Sequence, residues 1–548
     1  MSVDEQDKPS TTPASGSEKS PEVEAEVEVD ARSIVRLFQC SQCSYPLREA
    51  MTLPCGNTLC KPCLPPIYRR GNITYPPVEG RENGFLCPFP DCGVEHSVGD
   101  CGMDVMVNKI VQLGKAQVFS RKSETSQTRL LLEEKLDMAK IVDSGMDIMP
   151  RSRVLHGGRL DTTFALADMG ELDYTSDVVY TPLDVDPSAS STRAHDLAIL
   201  ESLRELTRPE LECQVCYQMM LDPVTTSCGH TFCRKCFGRA MDHSSYCPTC
   251  RRRLPRLPAT LSMASNKLLN DLSRILLPDQ LAARQAIHDE EERIDEQNRL
   301  PLFPCTLAFP QMLTFLHIFE PRYRLMVRRV MDSGSRKFGM LVPRGQSFSV
   351  PDGTGTPRFH PFGTVLYIER MELLPDGRSL IETRGLYKFR VLETDVYDGY
   401  LVGKVQRVDD IHIREEEMKE AEETSREAVP GESEAGRIQR MSTQALLEYG
   451  LAFVERARSR SARWLHQRVL AAYGEPSTDP AVFPYWFASV LPIAEGEKYQ
   501  LLPATSVRER LKITALWVER LERTRCEQES RQEQLQQQHQ QERRFRRW

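Results

Sequence analysis

The chain has 548 residues, 40% of them hydrophobic and 27% charged, with a formal net charge of −7 and 17 cysteines. That length calls for several domains, and the mild acidity gives no general electrostatic case for nucleic-acid binding. No run of about 18 apolar residues appears, so no membrane span is expected, and the opening MSVDEQDKPSTTPASGSEKS lacks the basic start and apolar stretch of a secretory signal. Residues 1–34 are rich in Ser, Thr, Pro and Glu and read as a disordered acidic leader, too poor in apolar surface to offset chain entropy.

Between residues 35 and 102 lies a cluster of Cys40, Cys43, Cys55, Cys60, Cys63, Cys87 and Cys92. Two residues between cysteines let both thiolates reach one tetrahedral metal from a tight turn. Residues 103–190 read as helix and then linker. Met106, Ile110, Leu113, Leu130, Leu131, Leu136 and Ile141 fall at helical spacing, and scattered Gly, Asp, Ser and Pro follow. In residues 191–280 a leucine stripe (Leu197, Leu200, Leu203, Leu206) leads into a second cluster, and a short amphipathic helix ended by Pro278 follows it. The stripe suits packing on the cluster, or pairing with a second copy in a homodimer. The cluster itself holds Cys213, Cys216, Cys228, His230, Cys233, Cys236, Cys247 and Cys250, in the order C-x2-C, C-x-H-x2-C-x2-C, C-x2-C. Fourteen of the 17 cysteines thus sit at metal-ligand spacing, which points to a reducing cytosol or nucleus.

Residues 281–299 are a charged helical connector. From residue 300 to 409 short apolar runs alternate, with a helix near Tyr323–Met331, a strand near Phe338–Val342, and PDG and YDG turns that predict a β-meander. Residues 410–440 read as a charged flexible insert. Helical periodicity returns over 441–523, and residues 524–548 form a Gln- and Arg-rich tail.

The second cluster resembles the RING finger, whose half-sites interleave. The resemblance implies one zinc on Cys213, Cys216, Cys233 and Cys236 and another on Cys228, His230, Cys247 and Cys250. With no open coordination position, these metals would build structure and do no chemistry. The first cluster resembles a degenerate RING finger, with one zinc on Cys40, Cys43, Cys60 and Cys63. Its second site has Cys55, Cys87 and Cys92, and the fourth donor is one of Asn57, His96 and Cys101. Two zinc ions are therefore expected in the second module and one or two in the first.

Residues 300–523 resemble the substrate-binding domain at the N-terminus of Lon proteases. The resemblance rests on LPLFPCTLAFP, HIFEPRYR and LLPDGRSLIETRGLYKFRV. It implies a PUA-like β lobe, a helical bundle after it, and a hold on protein substrates. No G-x-x-x-x-G-K-[ST] loop is present to cradle ATP phosphates. The combination resembles the Lon N-terminal-domain and RING-finger family, and no 34-residue helical repeat is evident. The expected fold is multidomain α+β.

The resemblance implies a RING-type ubiquitin ligase, an enzyme without its own nucleophile that orients a ubiquitin-loaded conjugating enzyme. Val215 and Pro248 match the apolar contacts to that enzyme, and Phe237 stands in for an aromatic contact that the family carries at the place of Ala240. Arg251 matches the linchpin that bridges conjugating enzyme and ubiquitin. The first module has Gln42 and Gly93 at the corresponding places, so it is expected to be a scaffold. The expected partners are a conjugating enzyme, ubiquitin and protein substrates. Nucleic acid is not among them, since no aromatic-and-basic platform is visible. A noncatalytic zinc-dependent adaptor is the other reading.

Overall fold

The computed structural model describes residues 30–76, 79–121, 129–135, 151–183, 189–254, 263–297, 299–344, 359–427 and 431–545. The first zinc module opens on helix Ala31–Arg36, capped by Asp30. Ala31 and Arg32 on that helix are buried, so the expected leader gives way to packed structure before residue 34. The module carries the hairpin Ala50–Thr52 and Thr58–Cys60, joined by Gly102–Met103, and a second small sheet of Tyr68–Arg69, Asn83–Leu86 and Glu95–Ser97. Helix Val105–Arg121 follows, as its apolar spacing predicts.

Two expectations fail in the next stretch. Leu130 and Leu131 lie on a strand, Arg129–Lys135, with Leu130 and Leu132 buried on one face. Burial here alternates with period two, and the helical spacing was coincidental. Leu136 and Ile141 lie outside the described residues. The expected linker is also folded. Strands Ser152–His156 and Asp177–Pro182 flank Arg129–Lys135, and helix Arg159–Met169 packs Leu160 and Phe164 into the same core as the first module.

Helix Ala189–Thr207 buries Ile199, Leu200 and Leu203 against that core, which also takes Leu269, Leu272 and Leu276 of helix Lys267–Leu276. Between them sits the second module, with hairpin Pro223–Thr225 and Thr231–Cys233 and helix Arg234–His243. Pro278 ends one helix and starts the next, Pro278–Gln297, the charged connector.

The expected meander is present, with Phe359–Leu373, Ser379–Tyr397 and Tyr400–Val408 paired in sequence across the PDG and YDG turns, and the lobe closes it into a barrel. Strands Ser379–Tyr397, Phe359–Leu373, Lys337–Pro343, Leu300–Pro304 and Tyr400–Val408 pair in that order, and the last pairs back with the first. Leu300–Pro304 runs parallel to Lys337–Pro343, a pairing no meander contains. Among the described residues, strand Leu313–Ile318 pairs with Ser379–Tyr397 alone, outside the ring. Helix Pro321–Asp332 buries Tyr323, Met326, Val327 and Val330 against the barrel.

The charged insert is also ordered. Helix Ile413–Thr424 buries Glu416, Glu417 and Glu420. Glu416 accepts from Ser506 Oγ (3.0 Å) and the Val507 amide (2.5 Å) at the start of the long helix Val507–Phe545. Glu417 lies between Arg70, with bonds of 2.7 and 3.1 Å, and Arg81 of the first zinc module. Glu420 accepts from Thr74 Oγ1 (2.6 Å) and the Thr443 amide (2.7 Å). The insert is thus a joint between the first module and the helical bundle. Its carboxylates are tolerated in the interior because cations and amides meet each of them. Tyr75 of the first module reaches into the bundle core beside Phe483, Trp486 and Leu511. The tail continues as helix to Phe545.

Candidate metal centres and the face of the second finger

Four sets of donors converge: Cys40, Cys43, Cys60 and Cys63; Cys55, Cys87, Cys92 and His96; Cys213, Cys216, Cys233 and Cys236; Cys228, His230, Cys247 and Cys250. Within each set the donor atoms lie within 4.8 Å of one another. Tetrahedral zinc with 2.3 Å bonds to sulfur needs sulfurs roughly 3.8 Å apart. Cys43 and Cys60 Sγ are 4.0 Å apart, and Cys55 and Cys87 Sγ are 3.9 Å apart. Cys92 Sγ lies 3.4 Å from His96 Nε2, and Cys228 Sγ lies 3.5 Å from His230 Nδ1. The residues fit zinc in all four places, with two sites in each module.

Of the three residues the sequence leaves open, His96 is the one whose ring joins the donor set. Burial, with Arg414 and Arg70 nearby, holds its imidazole down to about 4, so it stays in the neutral form that binds metal. Asn57 stands at the histidine's usual place but donates its amide to Cys55 Sγ (3.4 Å) and to Asp91. It supports a ligand without being one. Cys101 is outside the set, and its thiol donates to the Ser97 carbonyl at 3.3 Å.

The thiols show why a cation belongs here. The hydrogen bond from Cys60 brings Cys40 down to about 5, while burial and neighbouring thiols push Cys63 up to about 12. Cys213 is likewise lowered by Cys233 and Cys236, while burial and Cys228 push Cys247 up to about 12. In the sets of Cys40 and of Cys213 one thiolate forms readily and then opposes the rest, and in the set with His96 both Cys55 and Cys87 are pushed up. Only a positive ion lets all the thiols of a set ionise together.

Four of the ligand pairs, Cys40–Cys43, Cys87–Cys92, Cys213–Cys216 and Cys247–Cys250, are followed by a residue with left-handed backbone: Ser44 (φ 61°), Gly93 (φ 57°), Tyr217 (φ 55°) and Arg251 (φ 58°). In all four the amide of that residue turns back to a carbonyl of the knuckle, as from Arg251 N–H to Cys247 C=O at 2.9 Å. Arg251 and Pro248 are exposed, and Val215 is 37% exposed. Tyr217 at 77% and Tyr246 at 54% exposure add aromatic surface to the same finger. Neither tyrosine was singled out in the sequence, where nothing marks an aromatic as outward-facing. Phe237 is not on this face. It is 3% exposed and stacks on Phe232 at 6.0 Å, so its expected contact with a partner is corrected to a role in the finger's core.

On the barrel, a groove of ≈ 600 Å³ runs along the outer strand Leu313–Ile318 and the hairpin beside it. Phe315, His317, Met371 and Leu380 line it, between Arg370 and Glu382. Phe315, Phe319 and Leu373 are each more than half exposed.

Comparison with known proteins agrees with both halves of this architecture. Residues 212–250 match the C3HC4-type zinc finger (RING finger), and residues 299–520 match the substrate-binding domain of ATP-dependent protease La (LON). The molecule is thus a zinc protein that joins a RING finger to a Lon-type domain. Over most of its length the chain is similar to a protein that pairs a Lon N-terminal domain with a RING finger. It is 29% identical over 501 residues, 88% of this chain and 94% of the other, to the LON peptidase N-terminal domain and RING finger protein C14F5.10c of Schizosaccharomyces pombe. It is also 39% identical over 100 residues, 17% of this chain and 21% of the other, to E3 ubiquitin-protein ligase rnf168 of Danio rerio. A Lon N-terminal domain protein from Xanthomonas campestris aligns over 40% of this chain and 98% of its own, at 25% identity and a TM-score of 0.25. Among the described residues no helix is long and apolar enough to cross a membrane.

Proposed function

We propose that the protein is a RING-type ubiquitin-protein ligase whose second finger docks a ubiquitin-loaded conjugating enzyme and whose Lon-type domain receives the protein substrate. The observation that carries this reading is Arg251. It is exposed, directly follows the last zinc ligand, and is held by the Cys247 carbonyl in a fixed backbone turn. A rigid guanidinium fork there can donate to carbonyls of two proteins at once. Val215 and Pro248 offer the apolar contacts on the neighbouring knuckles. In the reaction a substrate lysine amine attacks the thioester carbonyl, the C–S bond breaks, and an isopeptide bond forms. The chain contributes orientation only, which reduces the entropic part of the barrier.

The groove beside Leu313–Ile318 supports the receptor role. It offers apolar side chains next to a strand edge that is unpaired among the described residues, a combination suited to an extended polypeptide. The similarity to an E3 ubiquitin-protein ligase, over 100 residues, favours the same class.

The test is self-ubiquitination by the purified chain with ubiquitin, activating enzyme, a panel of conjugating enzymes and ATP. Ubiquitin chains should form and should vanish with Arg251→Ala and with Cys213→Ser. Full zinc content with no product across the panel would replace the ligase with an adaptor.

A further inference from the structure

The first five cysteines of the two zinc modules correspond residue by residue. Cys40, Cys43, Cys55, Cys60 and Cys63 have the same mutual spacings as Cys213, Cys216, Cys228, Cys233 and Cys236. The hairpins match as well. Thr52 and Thr58 pair their hydroxyls at 3.0 Å, and Thr225 and Thr231 do so at 2.9 Å.

The segments leaving the modules cross between them. The Asp104 amide donates to Ala50 of its own module (2.8 Å), and the next amide, of Val105, donates to Gly229 of the other (3.0 Å). The Asn266 amide donates to Pro223 (2.7 Å), and the next amide, of Lys267, donates to Gly56 (3.0 Å). Asp104 Oδ1 accepts from the Val107 amide (2.9 Å) and Asn266 Oδ1 from the Leu269 amide (3.1 Å), so each starts its own helix. Their remaining atoms meet, with Asn266 Nδ2 donating to Asp104 Oδ2 at 2.8 Å. Thr52 and Thr225 donate to the same oxygen at 2.8 and 3.3 Å. Asp104 and Asn266 are fully buried.

Residue i on j answered by j on i is the signature of a two-fold interface, here formed within one chain. The fit leaves no slack. A Cβ at Gly56 would stand 2.0 Å from the Ser265 oxygen, and one at Gly229 would stand 1.9 Å from the Met103 oxygen.

We infer that the first zinc module is the RING finger's dimer partner in cis. It occupies the face through which a second copy of the finger would pair, so one chain is a complete two-module unit and does not self-associate through its fingers. This explains why a module with Gln42 and Gly93 in place of Val215 and Arg251 still keeps two full donor sets. What it must retain is the paired surface. Of the leucine stripe that could have met a second copy, Leu200 and Leu203 are buried in the shared core, and Leu197 remains exposed.

The test uses the full zinc-loaded chain. Light scattering should give 62.6 kDa at every concentration. Asn266→Asp keeps the oxygen that starts its helix but sets a second carboxyl against Asp104. It should raise amide exchange at Val105 and Lys267 at least tenfold with four zinc ions still bound. Adding Asp104→Asn swaps donor and acceptor and should restore the protection, which separates lost pairing from lost fold. A mass of about twice the chain, or wild-type protection in Asn266→Asp, would overturn the inference. Only one further arm rests on the ligase reading: self-ubiquitination per chain should not rise with chain concentration, and a rise would count against pairing in cis. A chain inactive throughout would refute the ligase reading alone, because mass and exchange decide the pairing without it.

Discussion

Arg407 on the barrel strand Tyr400–Val408 grips Asp242 near the end of the RING helix through two parallel bonds, Nη1 to Oδ2 at 2.9 Å and Nη2 to Oδ1 at 2.7 Å. Its Nε donates to Asp409 at 2.7 Å, and its guanidinium lies 4.2 Å from the Tyr387 ring centroid. The next residue of the RING helix, His243, sets its ring edge-on to Tyr367 at 5.2 Å. The finger that presents Arg251 and the barrel that carries the apolar groove are therefore joined by a two-pronged ion pair and not only by chain.

Bidentate Arg–carboxylate pairs are among the stronger polar contacts, and this one is largely withdrawn from water. Arg407→Ala should weaken the joint by about 1–3 kcal/mol. The measurement is amide exchange across Arg234–His243, which should speed up roughly tenfold or more. Asp242→Ala should do the same, and the double variant should add little to either, because both remove one interaction. Zinc content should not change. Additive effects of the two substitutions would dissolve the joint as described.

Arg251 separates fold from function. A side chain at φ 58° is strained by roughly 1–2 kcal/mol, and glycine is not. Gly93 already holds the equivalent place in the first module. Arg251→Gly should therefore leave thermal stability unchanged or raise it slightly, while abolishing self-ubiquitination. Lower stability in parallel with lower activity would mean that the arginine serves the fold.

The first module's second site gives a third prediction. His96→Ala removes a donor, and Asn57→Ala removes only a hydrogen bond to Cys55. Zinc released by denaturation should be four per chain for the wild type and for Asn57→Ala, and close to three for His96→Ala. Asn57→Ala should still give up its zinc to a chelator faster, since partners of this kind tune affinity by roughly 10–100-fold. Four tightly held ions in His96→Ala would exclude it as a ligand.

The zinc knuckles were legible because their ligands are close in sequence, and two intervening residues leave few geometries. His96 stayed one of three candidates, because Asn57 occupies the histidine's usual place and His96 lies on a strand after a long excursion. That excursion carries Arg70, Thr74, Arg81 and Tyr75, the residues that meet the Lon-type half. Read alone, the acidic run at 410–440 is a solvated face. Its carboxylates are buried because partners come from far along the chain, as Arg70 does for Glu417 and Ser506 for Glu416, and local composition cannot report that. The segment at 151–183 was missed because its elements are short and rich in Gly, Asp and Thr. Its helix begins at Gly158, and Asp196 of another helix takes up the Arg159 and Leu160 amides at 3.1 and 3.0 Å.

Asp410, at the joint between barrel and bundle, makes acid stability a test of that joint. It accepts from Lys388 Nζ at 2.9 Å and from Arg510 at 2.6 and 2.5 Å. Burial alone would raise its carboxyl, but Arg510 and then Lys388 outweigh this and carry it down to about 2. Burial dominates at Lys388, which falls to about 8 despite Asp410, so Arg510 is the more effective partner. A carboxyl lower in the folded than in the unfolded chain stabilises fully above the unfolded value of about 3.9, and that contribution is lost as pH falls through about 2. The amount is roughly 2 kcal/mol. Lys388 acts in the other direction. The unfolded chain holds the extra proton between about 8 and its ordinary value, so stability from this group rises with pH across that window. Asp410→Asn leaves Arg510 buried without its counter-charge and should cost about 3–5 kcal/mol at neutral pH. Urea unfolding followed by Trp486 fluorescence, in the bundle core, reads both proteins. The gap between wild type and Asp410→Asn should narrow as pH falls from 5 to 2, and a constant gap would show that Asp410 does not titrate in the joint.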